Sequence, residues 1–213
     1  MAEAGIHVIA TARTQKDLES LDDEIKALGG DATLVPLDLQ DGPGIDRLGG
    51  AIAERWKRLD ILVGNAGLLG SLSPLPHIDP GVWDDLIAVN LTANWRLLRS
   101  FDPLLRASDA GRVIFVTTGA VGKNVPYWGG YAVSKAALNQ LAFTYAAETA
   151  KTSVRVNLLN PGGTRTAMRA QAFPGEDPET LPAPSALVPL FLKLADPALT
   201  ETGEEFSFAD FRE

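Results

Sequence analysis

Short apolar runs alternate with helical patterns along the whole chain. The runs are HVIATA from His7, ATLVPL from Ala32, LDILVGNAG from Leu59, GRVIFVTT from Gly111 and SVRVNLLN from Ser153. They are rich in β-branched residues and nearly continuous, as strands buried on both faces are. A last run, EEFSF from Glu204, reads as an edge strand. Between the runs the spacing predicts helices over residues 15–28, 43–57, 80–107 and 130–151, the first stopped by Gly29 and Gly30. Leu18, Leu21, Ile25 and Leu28 recur at helical spacing, which predicts one apolar stripe facing the sheet. The alternation predicts an α/β fold: a parallel sheet covered by helices on both faces, in three layers. Residues 162–185 break the rhythm, with Pro174, Pro178, Pro182 and Pro184 following Pro161 and an acidic cluster among them. Such a stretch reads as a lid or as a disordered surface loop, and composition allows both. With no internal repeat and no linker, residues 1–213 read as a single domain.

Composition narrows the function classes. With 46% hydrophobic and 22% charged residues in 213, the chain suits one globular core and leaves no room for a second full domain. A net charge of -8 argues against nucleic acid and anionic membranes as partners. The absence of cysteine excludes disulfides, thiolate chemistry and cysteine metal sites. His7 and His77 have no partner at ligand spacing, so no metal site is expected. The opening MAEAGIHVIATAR lacks a basic head and no apolar run reaches membrane-spanning length, which points to a soluble cytoplasmic protein.

The chemistry concentrates in YAVSK at residues 131–135. Residues four apart share a helix face, so the Tyr131 hydroxyl and the Lys135 ammonium can converge. A nearby cation favours the tyrosinate, which predicts a phenol easier to deprotonate than usual and suited to general acid/base work. The plain alternative is a buried tyrosine beside a snorkelling lysine. Thr118 lies at the carboxyl end of GRVIFVTT, where open α/β sheets place ligands, and its hydroxyl could bond a substrate carbonyl or alcohol. Asn65, Ala66 and Gly67 end LDILVGNAG, where Gly67 would let backbone approach a ligand; an ordinary strand-end turn is the alternative. Asn90 sits inside a predicted helix, where asparagine is mildly unfavourable and needs either a functional reason or a polar bridge to a neighbouring strand.

Taken together these residues resemble the short-chain dehydrogenase/reductase family. The likeness runs through Asp38, NAG at 65–67, Asn90, a hydroxyl at 118, YAVSK at 131–135 and NPGGTRT at 160–166, in matching order. The chain also resembles uncharacterised bacterial oxidoreductases of that family that carry the stretch NPGGTRTAMRAQAFPGEDP. The resemblance implies a Rossmann-like doubly wound sheet and hydride transfer between a nicotinamide cofactor and a carbonyl or alcohol. It implies that Tyr131 exchanges the proton while Lys135 lowers its pKa and binds the nicotinamide ribose. It further implies that Asn90 holds a proton-relaying water, that Asp38 contacts the adenine, and that Pro161, Gly162, Thr164 and Thr166 pack by the nicotinamide and begin the substrate lid. The family usually has serine where this chain has Thr118; the added methyl restricts the hydroxyl and narrows the pocket. Helices 80–107 and 130–151, with apolar Trp83, Leu86, Trp95, Leu138, Leu141 and Phe143, are those through which family members pair, implying a homodimer or homotetramer.

Cofactor preference follows from the end of the run at His7. A carboxylate there would bond the NAD ribose and repel a 2'-phosphate; Ala12 followed by Arg13 offers a phosphate partner instead, favouring NADP over NAD.

The first strand of such a sheet and its glycine-rich phosphate turn have no counterpart ahead of His7, where only residues 1–5 precede the run. In strand order 3-2-1-4-5-6 the absent strand belongs between the runs starting near His7 and Leu59, leaving two unpaired edges. The expectation is a truncated or mis-started form of a longer reductase that, starting at Met1, is unstable, rearranged or partner-dependent. The rival reading is a catalytically inactive Rossmann-like fragment acting as a binding or assembly module.

Overall fold

Prolines and caps set the helix starts. Asp41 accepts from Gly44 N ahead of Pro43, and Asp79 accepts from Gly81 N and Val82 N ahead of Pro80. In each case the carboxylate satisfies amides that the first turn leaves free. The computed structural model describes residues 1–211. Its elements run β1 (Val8–Ala12), α1 (Gln15–Ala27), β2 (Ala32–Pro36), α2 (Gly42–Arg55), β3 (Ile61–Gly64), α3 (Pro80–Ile87), a π-helical turn (Ala88–Thr92) and α4 (Ala93–Arg106). They continue with β4 (Arg112–Val116), α5 (Gly129–Thr149), β5 (Arg155–Asn160), α6 (Ala167–Ala172), α7 (Val188–Ala195), β6 (Glu205–Ser207) and α8 (Phe208–Phe211). Gly29, at φ 75°, stops α1: its amide reaches Lys26 O and that of Gly30 reaches Ile25 O.

Every strand pairing is parallel, and the order is β2-β1 in one sheet and β3-β4-β5-β6 in another. Among the described residues β1 pairs only with β2 and β3 only with β4, so the expected break falls between them. The two sheets still share a core. Ile9 and Val35, from β1 and β2, pack on the cluster that holds Leu62, Phe115 and Leu158 with α2, α4 and α5. Alternate strand residues point the other way, where Ile114 and Leu159 meet Leu190 and Leu194 of α7. This is the α/β Rossmann-like arrangement with helices on both faces.

Two expectations need correction. Leu18 and Ile25 of α1 are buried, but Leu21 and Leu28 are 38% and 58% exposed. They lie roughly 60–80° further round the helix, and the contact with β1 and β2 is too narrow to reach them. The helix expected over 80–107 runs unbroken to Arg106 but is not α-helical throughout, because a π turn widens its backbone at 88–92 between α3 and α4. The stretch 162–185 is built of α6 and two 3-10 turns, held by Arg165–Glu179 and Arg169–Glu176 ion pairs.

Arg112 anchors the carboxyl-terminal part without any carboxylate. It is 3% exposed, and its guanidinium donates to the carbonyls of Asp196, Gly111, Ser153, Pro197 and Leu199. Five donors meet five acceptors, as a buried arginine requires. No helix among the described residues is long and apolar enough to cross a membrane.

Candidate active site

The carboxyl end of β4 delivers Thr117 and Thr118, and the first turn of α5 delivers Tyr131. A glycine pair lets α5 start so close to its neighbours. A Cβ on Gly129 would lie 2.3 Å from Leu75 Cδ2, and one on Gly130 would lie 2.9 Å from Leu86 Cδ1. Tyr131 is 9% exposed, and its phenol shares the cavity wall with Thr118, whose side chain acts on it electrostatically. The Thr118 hydroxyl also accepts from Ala120 N at 3.2 Å. One turn further along α5, Lys135 is buried, and its Nζ donates to Val116 O at 2.8 Å.

Burial governs the electrostatics here. Loss of water pushes the Tyr131 phenol above its usual value, and the interaction with Thr118 offsets only part of that. The expectation of a phenol eased toward deprotonation by Lys135 is therefore corrected: desolvation sets the direction, and the interaction that opposes it comes from Thr118. The same burial pushes Lys135 down to about 8, which makes its ammonium a weaker and less constant cation than a solvated lysine.

Asn90 sits in the π turn with no exposed surface. Its Oδ1 accepts from Leu68 N at 2.7 Å, and its Nδ2 donates to Leu68 O and Ser134 Oγ, both at 2.9 Å. One side chain thus ties the loop after β3 to α5. A Cβ on Gly67 would stand 3.3 Å from Asn90 Oδ1 and 3.5 Å from Lys135 Nζ, so the backbone of residues 65–67 runs directly over this pair.

These groups open onto a cavity of about 800 Å3. Ten of the expected residues line it: Asn65, Ala66 and Gly67; Thr118, Tyr131 and Lys135; and Pro161, Gly162, Thr164 and Thr166. In the last group Gly162 takes φ 65°, a left-handed turn that suits glycine, and accommodates the bond from its amide to Asn160 Oδ1. The Thr166 hydroxyl caps α6 through Arg169 N, and Thr164 donates to Pro161 O. Three expected residues are not on the lining. Asn90 lies behind it, while Arg13 and Asp38 are exposed after β1 and β2. The Asp38 carboxylate is engaged locally by Gln40 N.

Residue spacing missed Trp128, Met168, Arg169 and Phe191, which also line the cavity. The signal for Trp128 was its position one helical turn before Tyr131. The others come from the proline-rich stretch and α7, whose path over the sheet no periodicity reveals. His7 is engaged elsewhere, bonding Thr33 Oγ1 at 2.9 Å near the start of β1.

Comparison with known proteins agrees with this layout. A family model described as short chain dehydrogenase matches residues 1–177. The uncharacterised oxidoreductase YciK of Escherichia coli K12 is 38% identical over 209 residues, covering 96% of this chain and 82% of the relative. A solved short chain dehydrogenase from Salmonella enterica serovar Typhi superposes with TM-score 0.90 at 32% identity, covering 95% of each chain. Another from Escherichia coli CFT073, solved with NADPH, superposes with TM-score 0.87 at 38% identity, covering 93% of this chain and 84% of that one. The extent of the family match and these identities lead to one conclusion: the chain belongs to the short chain dehydrogenase family.

Proposed function

We propose that the protein is an NADP-dependent oxidoreductase that interconverts a small-molecule carbonyl and its alcohol at the cavity between β4 and α5. The observation that carries this reading is the Tyr131–Thr118 hydroxyl pair on the wall of a cavity that the Lys135 side chain also lines. Two polar hydroxyls side by side in a mostly apolar recess can hold one carbonyl oxygen in a fixed direction.

The lining residues fit the nicotinamide and ribose end of such a cofactor. Lys135 spends one hydrogen bond on Val116 O, leaving donors for ribose hydroxyls, and Gly67 keeps the floor of the cavity thin beside it. Asn65, Ala66, Pro161, Gly162, Thr164 and Thr166 complete that wall. Arg13, exposed after β1, is available for a 2'-phosphate, and the NADPH complex of the Escherichia coli CFT073 relative supports NADP over NAD. Asp38 is the candidate adenine contact after β2.

When bound, a nicotinamide would supply the hydride, two electrons with one proton, that forms the new C–H bond at the carbonyl carbon. Tyr131 Oη gives the carbonyl oxygen its proton as the C=O π bond becomes an O–H bond, and Thr118 Oγ1 orients that oxygen. The raised pKa of Tyr131 favours the protonated form needed for reduction, and oxidation of an alcohol reverses each transfer. Lys135 stands behind Tyr131 as the next proton source, and Asn90 fixes the loop that covers both. Exposed Trp95 on α4 and Phe143 on α5 support pairing of two copies across those helices, which analytical ultracentrifugation tests directly.

NADPH fluorescence titration and a carbonyl screen test the reading. Micromolar NADPH binding is expected, weakened roughly tenfold or more by Arg13→Glu, with NADH little affected. Tyr131→Phe should lower turnover by about 10²–10⁴-fold while NADPH still binds. No binding at millimolar cofactor, or undiminished turnover in Tyr131→Phe, would remove the proposal.

A further inference from the structure

The outer end of the cavity is walled by aromatic and apolar side chains rather than by polar ones. Trp128 stands edge-on to Tyr131, with ring centres 6.0 Å apart, and packs against Phe173 at 5.6 Å. Met168 and Ala172 of α6 continue this wall inside the cavity. Around Trp128 stand exposed apolar residues from three separate connecting segments, none of them on the cavity lining itself. Leu75 is 58% exposed, Tyr127 61% and Phe173 38%.

These loops are tied to one another. Ser73 N donates to Tyr127 O at 3.0 Å, and Leu75 leans on the start of α5 at Gly129. Tyr127 holds φ 72°, a left-handed conformation that a bulky L residue adopts only when its surroundings impose it. The patch is therefore built, and it leaves apolar area in water that a ligand would cover. Arg169, which lines the cavity beside this wall, is already neutralised. Its Nε and Nη2 both bond Glu176 at 2.6 Å, and its guanidinium lies 3.7 Å above the Phe173 ring. An anionic substrate tail would have to displace that pair.

Resting on the oxidoreductase reading, we infer that the substrate is a carbonyl compound with an elongated, uncharged apolar body. Its carbonyl sits at Thr118 and Tyr131, and its body runs along Trp128 and Phe173 to the rim formed by Leu75 and Tyr127. Trp128 lines the cavity and carries Phe173 packed on its ring, with Tyr127 next to it in the chain, and this link favours a substrate over a second copy of the chain as the cover of the rim.

The test uses the full chain and straight 2-ketones from butanone to dodecan-2-one. Their dissociation constants are measured calorimetrically with and without NADPH, beside kcat/KM for NADPH oxidation. Both should improve about fourfold for each methylene until the rim is covered. Trp128→Ala and, separately, Phe173→Ser should flatten that slope by at least half. Adding a terminal carboxylate to the longest ketone should cost tenfold or more. A flat slope in the wild-type chain overturns the inference, as does a preference for the carboxylate or a rim whose loss changes only the sedimentation coefficient. Ketone binding is read without turnover, so failure of the oxidoreductase reading, seen as no NADPH binding or oxidation, is distinguishable from failure of this one.

Discussion

Lys135 offers a test of the site's electrostatics that needs neither cofactor nor substrate. Its side chain is 3% exposed, and burial lowers its pKa from 10.5 to about 8. Below about pH 8 the lysine is charged in both folded and unfolded chains, and the cost of burying that charge opposes folding in full. As the pH rises from about 8 to 10.5 the folded chain releases the proton first, so the unfolded chain binds more protons and stability rises. The gap converts to about 3 kcal/mol. Lys135→Met keeps the length of the side chain and removes the titration. It also leaves Val116 O without its donor, a pH-independent cost of about 1–3 kcal/mol. Urea denaturation of both proteins across this range should therefore show the wild type gaining about 3 kcal/mol relative to the variant. Tyr131 titrates in both proteins, so its opposite tendency largely cancels. A flat difference would mean that Lys135 is solvated, and a falling one that a buried partner holds its charge. Either result would undo the account of Tyr131 as well, since one desolvated recess is invoked for both.

Asn90→Ala should destabilise the fold by roughly 2–4 kcal/mol in chemical denaturation, because it orphans both backbone groups of Leu68 and removes the donor to Ser134 Oγ, which keeps only its own bond to Tyr131 O; a loss under about 1 kcal/mol would make Asn90 structurally dispensable. Arg112→Met should cost at least about 3 kcal/mol and speed amide exchange in the 196–199 turn, where Pro197 O and Leu199 O lose their arginine donor and Asp196 O keeps only Leu199 N. Unchanged exchange there would show that the turn holds itself. Gly64→Ala should lose about 1–3 kcal/mol, since its Cβ would meet Asn94 Oδ1 and Phe115 Cδ1, each at 2.4 Å. Gly50→Ala, in the open on α2, should gain up to about 1 kcal/mol by helix propensity. Thermal melts rank the pair, and the reverse order would refute the packing argument.

The residues legible in the sequence are those whose chemistry is local. Tyr131 and Lys135 line the same cavity because a helix places residues four apart on one face, and that much could be read from their spacing once α5 was recognised. Asp41 and Asp79 cap helices through amides two or three residues away, an equally local chemistry. Asn90 shows the limit. Its partners lie 22 and 44 residues distant, and the signal in the sequence was only that a poor helix former stood where a helix was expected. The helix does widen there, which turns an unfavourable residue into the point that joins loop, α3, α4 and α5. Arg112 left no trace at all, because its five carbonyl partners are backbone groups that any residue could supply. The pKa of Tyr131 failed for a related reason. Pairing with a charge can be read from spacing, whereas desolvation depends on everything packed around the group. Recesses assembled from distant loops are therefore where spacing arguments most need a measured pKa, and the paired titration of Lys135 supplies one.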